Sequence, residues 1–321
     1  MTNTVNTRAE EALRAAQLYY LQDRNMDAIA KEMKLSRSSV SRLISYARQS
    51  GLVQITVNSP QEAMGHIAHR ITDAYRISVH IVPTPPRATE AERLERTTLS
   101  AARLLSVMAD ANLVIGIAWG ATVSAIGRQL PTKPLHNVQV VQMNGAASTH
   151  SSGVAYAGAQ LERFGHAFGA EIHHFPVPAL FDDPLTKHAM WRERSVRSVL
   201  DLQTRVGLFV FGVGSPKAEV PSHVYVGDYF TGSDLRTIVR DSVVGDCATR
   251  FFRADGSSDG ISLNERSSGP DFHTVRQIPH RLCVASSLSK LDALRGALNA
   301  GLVTDLVVEE SLARALANTL R

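Results

Sequence analysis

The sequence predicts two units of different class: an all-α, winged helix-turn-helix unit at residues 1–57 and an α/β unit at residues 58–321. Three observations support this prediction. The first 50 residues have the pattern of a compact set of helices, whereas the remainder alternates helical and strand-like segments. The chain has 321 residues with 44% hydrophobic content, which suffices for about two domains and at least one sizeable core. The alternation indicates a Rossmann-like, largely parallel sheet with helices on both faces.

Positive charge is concentrated in the first unit. The formal net charge is +4, and residues 1–57 contribute +3 through eight basic and five acidic side chains. This asymmetry favours a polyanionic partner for the first unit. Cys247 and Cys283 each lie in an apolar run and are expected to be buried thiols in a reducing compartment. Because no signal-peptide core and no unbroken apolar stretch are found, we expect a cytoplasmic protein that does not contact a membrane.

Two short helices joined by a turn are predicted between residues 25 and 49. Asn25 is a cap for the first helix, and Ser36 is a cap for the second, which runs from 37 to 49. Lys34 occupies the turn position where positive φ is favoured, at a cost of about 1 kcal/mol for a residue with a Cβ. A strand-like run at 53–57 then predicts a minimal wing.

The second of these helices carries a basic, hydroxyl-rich face, and no acidic residue occurs between 35 and 57. Arginine pairs with guanine, and serine bonds to base edges or phosphates. We therefore expect major-groove contacts from Arg37, Ser38, Ser39, Ser41 and Arg42, and phosphate contacts from Lys34 and Arg48. The alternative is an ordinary three-helix cap with a solvated basic face.

In the second unit, helices are predicted at 61–75, 91–109, 122–129, 154–168, 289–300 and 310–320. Strands are predicted at 78–82, 112–118, 138–143, 171–177, 206–213, 246–252, 281–285 and 305–308. Polar turns, three of them with glycine, follow four strands, at 116–122, 142–145, 212–215 and 286–290. Because the carboxyl ends of parallel strands share one edge of a sheet, we expect these turns to converge on a ligand site.

Three features of these turns suit a sugar phosphate. Gly120 and Thr122 open a predicted helix, so backbone N–H groups and the Thr122 hydroxyl can hold a phosphate. Lys290 adds a point charge, and Trp119 can stack on a sugar ring. Each has a plainer interpretation: a strand-to-helix turn common to α/β folds, a solvated lysine and a core tryptophan.

Several motifs together resemble the SorC family of sugar-sensing transcriptional regulators, and the resemblance extends from about residue 12 to 320. They are SRSSVSRL at 36–43, the segment 116–120, Gly227-Asp228, Gly245-Asp246 with Phe251-Phe252, Asp255-Gly256, and Lys290 with Ala293-Leu294 and Ala297-Leu298.

The resemblance implies a helix-turn-helix joined to a domain similar to sugar-phosphate isomerases, binding a sugar, sugar phosphate or polyol and assembling into dimers or tetramers. Its effector pocket corresponds here to Trp119, Gly120, Thr122, Asn144, Gly145, Gly214, Asp246 and Lys290. Two positions depart from the family pattern: Ser286-Ser287 replaces a glycine pair, and Ala121 replaces a more polar residue. The expected partners are an operator in double-stranded DNA, the effector and further copies of the chain, with no cofactor.

Three other chemistries are not expected. The segment 256–260 matches G-x-S-x-G, but the flanking pattern predicts a hairpin and not the strand-turn-helix of a hydrolase. His66 and His69 share a helix face without a third ligand nearby, so a zinc site is not predicted. An isomerase-like enzyme carrying an accessory helix-turn-helix remains the alternative, with Asp246 paired to Glu219 or Asp228 for acid/base work. The acid-free basic helix argues against that alternative, because an isomerase has no use for it.

Overall fold

The computed structural model describes residues 2–53, 60–148, 152–218, 223–226 and 229–320. It divides the chain into two compact units, Met1–Glu62 and Ala63–Arg321. The boundary predicted between residues 57 and 58 lies outside the described residues and stays a prediction.

Three helices form the first unit: α1 (Thr2–Tyr20), α2 (Met26–Met33) and α3 (Arg37–Gln49). Helix α1 packs against both others. Small side chains such as Ala12 and Ala15 of α1 meet Ile29 of α2 and Val40 and Ile44 of α3 in a fully or nearly fully buried core. This core fixes the angle at which α3 leaves the turn.

The segment from the start of α2 to the start of α3 confirms three local predictions. Asn25 accepts the Ala28 N–H through its side chain at 2.9 Å, and the Ser36 hydroxyl accepts the Ser39 N–H at 3.1 Å. Lys34 has φ of 55°, in the left-handed region. Beyond α3, the Val53 N–H donates to the Ala47 carbonyl at 3.0 Å. The rest of the predicted wing strand, 54–57, lies outside the described residues.

The second unit alternates strands and helices. In chain order these are α4 (Pro60–Tyr75), β1 (Ser78–Val82), α5 (Glu90–Met108), β2 (Val114–Ile117), α6 (Ala121–Gln129), β3 (Gln139–Gln142), α7 (Ser152–Phe168), β4 (Glu171–His173), α8 (Pro184–Met190), α9 (Arg194–Gln203), β5 (Leu208–Gly212), α10 (His223–Val226), α11 (Gly232–Arg240), β6 (Gly245–Cys247), β7 (Arg250–Phe252), α12 (Leu263–Arg266), α13 (Phe272–Gln277), β8 (His280–Ala285), a 3-10 turn (Leu288–Lys290), α14 (Leu291–Asn299), β9 (Asp305–Glu309) and α15 (Glu310–Asn318).

Seven of these strands form one parallel sheet in the order β1-β9-β8-β5-β2-β3-β4. The predicted parallel sheet is thus confirmed. The four strands expected to end in polar turns, β8, β5, β2 and β3, are consecutive neighbours. Their register keeps the ends level, since Gly116 pairs with Phe209 on one side and Val141 on the other. The polar turns therefore meet along one stretch of the edge.

Both faces of the sheet are buried, as a parallel sheet requires. Along β5, Leu208 and Val210 join the core formed with α5, α6 and α7. Phe209 and Phe211 point the other way, into the core that includes α9, α13, α14 and α15. This period-two alternation within a wholly apolar strand follows from the pleat.

Two segments fold differently from the sequence-based expectation. The predicted strand 246–252 is a two-stranded antiparallel hairpin, β6–β7, outside the main sheet. Ala248 and Thr249 form its turn with φ of 49° and 64°, the left-handed pair of a tight hairpin. The expectation of a second hairpin around 256–260 is wrong, because the short helix α12 follows that turn. The sequence pattern also does not predict helices α8, α9, α11 and α13.

Candidate functional site

In the first unit, the residues predicted to contact DNA lie on α3 and in the turn before it. Six of the seven residues predicted to contact DNA are exposed: Lys34, Arg37, Ser38, Ser41, Arg42 and Arg48. Ser39 is half-buried. The structure thus places these side chains on one helix and the turn before it, with the first turn of α3 carrying Arg37 and Ser38. Whether they contact DNA stays a prediction.

Local hydrogen bonds orient the start of α3. The Ser36 hydroxyl lies 2.9 Å from that of Ser38 and 2.8 Å from that of Ser39. The Arg42 guanidinium reaches back to the Ser38 carbonyl at 3.4 Å, which holds its stem along the helix. Ser39 therefore takes part mainly in the hydrogen bonds that cap the helix and is less available at the surface.

An acidic side chain approaches this face from α2, which sequence reasoning missed. Asp27 lies 3.7 Å from Arg37, and both side chains are about 70% exposed. An exposed pair of this kind contributes little to stability, so Arg37 can exchange Asp27 for another anion. The absence of acidic residues in the local sequence did not reveal this neighbour, because the helix crossing brings it in.

In the second unit, the polar strand ends surround one cavity of about 70 Å³. Seven of the eight predicted effector residues line it: Trp119, Gly120, Thr122, Asn144, Gly214, Asp246 and Lys290. We call this space the effector cavity. Residues that sequence reasoning missed complete the lining, among them Val224 of α10 and Ala248 and Thr249 of the hairpin turn. The sequence gives only a weak signal for the hairpin turn, because neither Ala248 nor Thr249 is a glycine and yet both have positive φ.

The start of α6 faces the effector cavity with Gly120 as its cap, and Gly120 provides no side-chain cap bond. The N–H of Gly120 donates to Gln160 at 3.2 Å. Ser124 is the first residue whose N–H donates within the helix, to the Gly120 carbonyl at 2.8 Å, so the N–H groups of Ala121, Thr122 and Val123 have no intrahelical acceptor and point beyond the helix start. Gly212 makes room for Thr122, because a Cβ there would lie 3.1 Å from the Thr122 hydroxyl. This arrangement can hold an anion.

Two buried oxygens in the effector cavity lack a hydrogen-bond partner within the described part of the chain. They are Oδ1 of Asn144 and Oδ1 of Asp246. Their residues are 1% and 6% exposed, respectively. A buried acceptor left unpaired costs free energy, so Asn144 Oδ1 points to a missing donor, while Asp246 Oδ1 has the unpaired Tyr225 hydroxyl as a neighbour. Sugar hydroxyls are donors of the required kind.

The environment of Asp246 is unusual for a carboxyl group. Burial raises its pKa to about 6, while the Tyr225 hydroxyl, the Thr249 N–H and the Lys290 charge act in the lowering direction. The Thr249 N–H donates to Asp246 Oδ2 at 3.1 Å. Two backbone hydrogen bonds between Gly214 and Asp246 tie the hairpin to the end of β5. The carboxyl group is thus fixed in place and ionised at neutral pH.

Lys290 supplies the positive charge in the cavity lining. It is half-buried, and burial lowers its pKa, although Asp246 and Glu90 act in the opposite direction. Within the described residues its ammonium group makes neither an ion pair nor a hydrogen bond. It is therefore available to a ligand.

Gly145 does not line the effector cavity, contrary to expectation, whereas Trp119 does. Trp119 is 8% exposed, its Nε1 donates to the Gly145 carbonyl at 2.8 Å, and its ring centroid lies 5.4 Å from that of Tyr229. It forms part of the cavity wall. Gly145 lies behind that wall with its N–H donated to the Ser268 hydroxyl at 2.9 Å. Both backbone groups of Gly145 are thereby used within the protein.

The other chemistries find little support in the described residues. Glu219 and Asp228, the carboxylates of the isomerase alternative, lie outside them. Among described residues Asp246 is the only acidic side chain that lines the effector cavity. No group of three metal-ligating side chains occurs in the same part of the chain. Across the described ranges, each helix is too short or too polar to cross a bilayer.

The fold and the cavity define a class of protein, a transcriptional regulator that couples a helix-turn-helix to a ligand-binding α/β domain. The chain belongs to the sugar-binding domain family of SorC-type transcriptional regulators: the family model named "Putative sugar-binding domain" matches residues 59–318. The resemblance that the sequence motifs indicate is confirmed.

Known proteins support this assignment over nearly the whole chain. The deoxyribonucleoside regulator of Bacillus subtilis (strain 168) is 29% identical over 312 residues, which are 96% of this chain and 97% of that protein. A domain of "a possible sugar-binding transcriptional regulator" from Arthrobacter aurescens TC1 is 48% identical with a TM-score of 0.76, covering 81% of this chain and all of that one. The full-length sorbitol operon regulator SorC from Klebsiella pneumoniae has the same fold, with a TM-score of 0.71 at 21% identity, covering 96% of this chain and 99% of its own.

Proposed function

We propose that this regulator binds a sugar phosphate in the effector cavity and that binding changes its affinity for an operator. The observation that carries the proposal is the convergence of seven predicted residues on one cavity, with two acceptors and a lysine that have no partner among the described residues. The start of α6 and Lys290 receive the phosphate, and Asn144 and Asp246 accept hydrogen bonds from sugar hydroxyls.

The proposed DNA contacts lie on α3. Arg37, Ser38, Ser41 and Arg42 face the major groove, with Ser39 in a supporting role, and Lys34 and Arg48 contact phosphates. One helix reads too few base pairs for a unique site in a genome, so we propose a symmetric homo-oligomer on a palindromic operator. Because such a regulator works on DNA, we place it in the cytoplasm.

The effector acts through a difference in affinity for two arrangements of the protein, one competent to bind DNA and one not. Equal affinity for both would leave operator binding unchanged. The relatives are named as transcriptional regulators, and we propose that this chain likewise has no catalytic role.

The test is a calorimetric titration of the purified chain with ribose 5-phosphate, glucose 6-phosphate, fructose 6-phosphate, sorbitol and the corresponding free sugars. We expect one phosphorylated compound to bind best, and Asp246→Asn to weaken it at least tenfold. Asp201→Asn is the matched control, because Asp201 is an exposed carboxylate on α9.

The same compound is then added to fluorescent DNA from upstream of the protein's own coding sequence, at two salt concentrations. Salt-sensitive binding that the compound changes supports the proposal. Turnover of any sugar phosphate by the purified chain would instead favour the isomerase alternative. Absence of binding across the whole panel would contradict the proposal.

A further inference from the structure

A second cavity of about 280 Å³ adjoins the effector cavity at the same edge of the sheet. It is lined by the start of α5, the start of α6 and the segment after β8: Glu90, Ala91, Leu94, Ala121, Thr122, Ala218, Ser286, Ser287, Ser289 and Lys290. We call it the side cavity. Three of its residues, Ala121, Thr122 and Lys290, also line the effector cavity.

The shared residues are those proposed to hold the phosphate. Thr122 lies in the first turn of α6, where backbone N–H groups are directed beyond the helix, and Lys290 has no partner among the described residues. A phosphate bound between them borders both cavities. The shortest covalent connection from a sugar in the effector cavity to a group in the side cavity therefore runs through that phosphate.

The side cavity differs from the effector cavity in its chemistry. Ala91, Leu94, Ala121 and Ala218 present apolar surface. The Ser287 and Ser289 hydroxyls lie 2.8 Å apart and are hydrogen-bonded to each other. Among the described residues of this lining Lys290 is the only cation, and it is shared with the phosphate, while the exposed Glu90 stands on the α5 side. A second anionic group would meet a carboxylate and no further cation from that lining, which therefore disfavours bisphosphates.

We infer that the effector is a phosphodiester in which the phosphate joins the sugar to an uncharged, mainly apolar group. This inference rests on the proposed function, because it uses the same phosphate position. The sugar occupies the effector cavity, the phosphate occupies the shared boundary, and the apolar group fills the side cavity.

The inference is tested with methyl phosphate and phenyl phosphate, which are both phosphate monoesters and contain no sugar. We expect phenyl phosphate to bind at least tenfold more tightly to the full chain, measured by calorimetry. Asp201→Asn, at an exposed position on α9 that lines neither cavity, should leave this preference unchanged.

The location of the phenyl group is tested by filling the side cavity. Ala91 is exposed at the first turn of α5, so Ala91→Trp introduces a large side chain with little risk to folding. We expect this variant to bind the two probes equally, with methyl phosphate bound as in the parent chain. Val107→Trp, at an 81% exposed position on α5 that lines neither cavity, is the matched control and should keep the preference.

Two failures are distinguishable. If both probes bind with the same affinity, or if Ala91→Trp leaves the preference intact, the side cavity does not take the second group and only this inference is wrong. If neither probe binds, the phosphate position itself is wrong, and the proposed function fails together with the inference.

Discussion

Asp246 and Lys290 line the same cavity from different elements, the hairpin strand β6 and the turn before α14, yet their charged groups do not come within ion-pair distance of each other. Burial raises the pKa of Asp246 to about 6, and a closer cation would have lowered it further. The two groups are thus kept apart with space between them. A ligand that carries both hydroxyl donors and an anionic group fits that spacing.

Replacing Asp246 with asparagine should separate binding from stability. In the empty protein the pKa of Asp246 is above its ordinary value of 3.8, so ionising this buried group at neutral pH destabilises the fold by on the order of 2–3 kcal/mol. Asparagine keeps the acceptor for Thr249 and removes the charge. We therefore expect Asp246→Asn to melt at a higher temperature than the parent while it loses effector affinity. A lower melting temperature at pH 7.5 would show that the carboxylate stabilises the empty cavity.

Effector affinity should depend on pH through the same carboxyl group. The ionised form accepts sugar hydroxyls, so bound effector lowers the pKa of Asp246 and binding is strongest above the empty-state value of about 6. As pH falls through 6 toward 5, we expect the dissociation constant to rise up to tenfold per unit. Calorimetry from pH 5 to 8 measures this profile.

Asp246→Asn is the necessary reference for that profile when a phosphate monoester of the test panel is the ligand, since the second pKa of such a monoester is also about 6. The variant should retain only the phosphate's contribution to the pH dependence. A profile that is identical in the parent and the variant would remove Asp246 from the binding site.

Arg42→Ala should weaken operator binding by about 1–3 kcal/mol if Arg42 reads a base, which corresponds to roughly 5- to 150-fold. The side chain is exposed and held along α3 by the Ser38 carbonyl, so little folding energy is at stake. Arg197→Ala, an exposed arginine on α9, is the control of equal charge change. Anisotropy with the operator and with random DNA measures both. Equal losses on both DNAs would reassign Arg42 to a phosphate contact.

Lys34→Gly should raise stability while it lowers DNA affinity. Lys34 has φ of 55°, where a Cβ costs about 1 kcal/mol and glycine is unstrained. The same change removes a proposed phosphate contact, so the slope of log affinity against log salt concentration should decrease in magnitude by about one. Lys31→Gly removes a charge from the interior of α2 and should destabilise by about 1 kcal/mol. Thermal unfolding together with salt titration distinguishes the two variants.

Gly145→Ala should destabilise the α/β unit by about 1–3 kcal/mol through overpacking. A Cβ at this position would overlap sterically with the backbone carbonyl oxygens of Val177 and Pro178. The Trp119 bond to the Gly145 carbonyl should be disturbed as well, which tryptophan fluorescence reports. Gly158→Ala is the control, because its Cβ would meet His174 Cε1 at an ordinary 3.7 Å and alanine suits the interior of α7. A stable Gly145→Ala variant with unchanged fluorescence would contradict this reasoning.

The sequence determined the elements whose signals are local. The caps at Asn25 and Ser36, the positive φ at Lys34 and the apolar runs of β2, β5 and β8 depend on residues within a few positions of one another. Parallel strand polarity then required the polar turns to share an edge, so the order of residues along the chain was enough to assign Thr122 and Lys290 to one site.

Tertiary structure alone decided what depends on distant neighbours. It brought Asp27 to Arg37, turned 246–252 into a hairpin and placed Asp246 in a buried environment that raises its pKa. It also placed Gly145 behind the cavity wall, where its carbonyl accepts a hydrogen bond from Trp119 Nε1. Burial and the absence of a partner are properties of the packed interior, and no local pattern encodes them. Most of the residues that line the effector cavity were thus named from the sequence, whereas their charge state and their free hydrogen-bonding groups arise only when the strands and the hairpin close around the cavity.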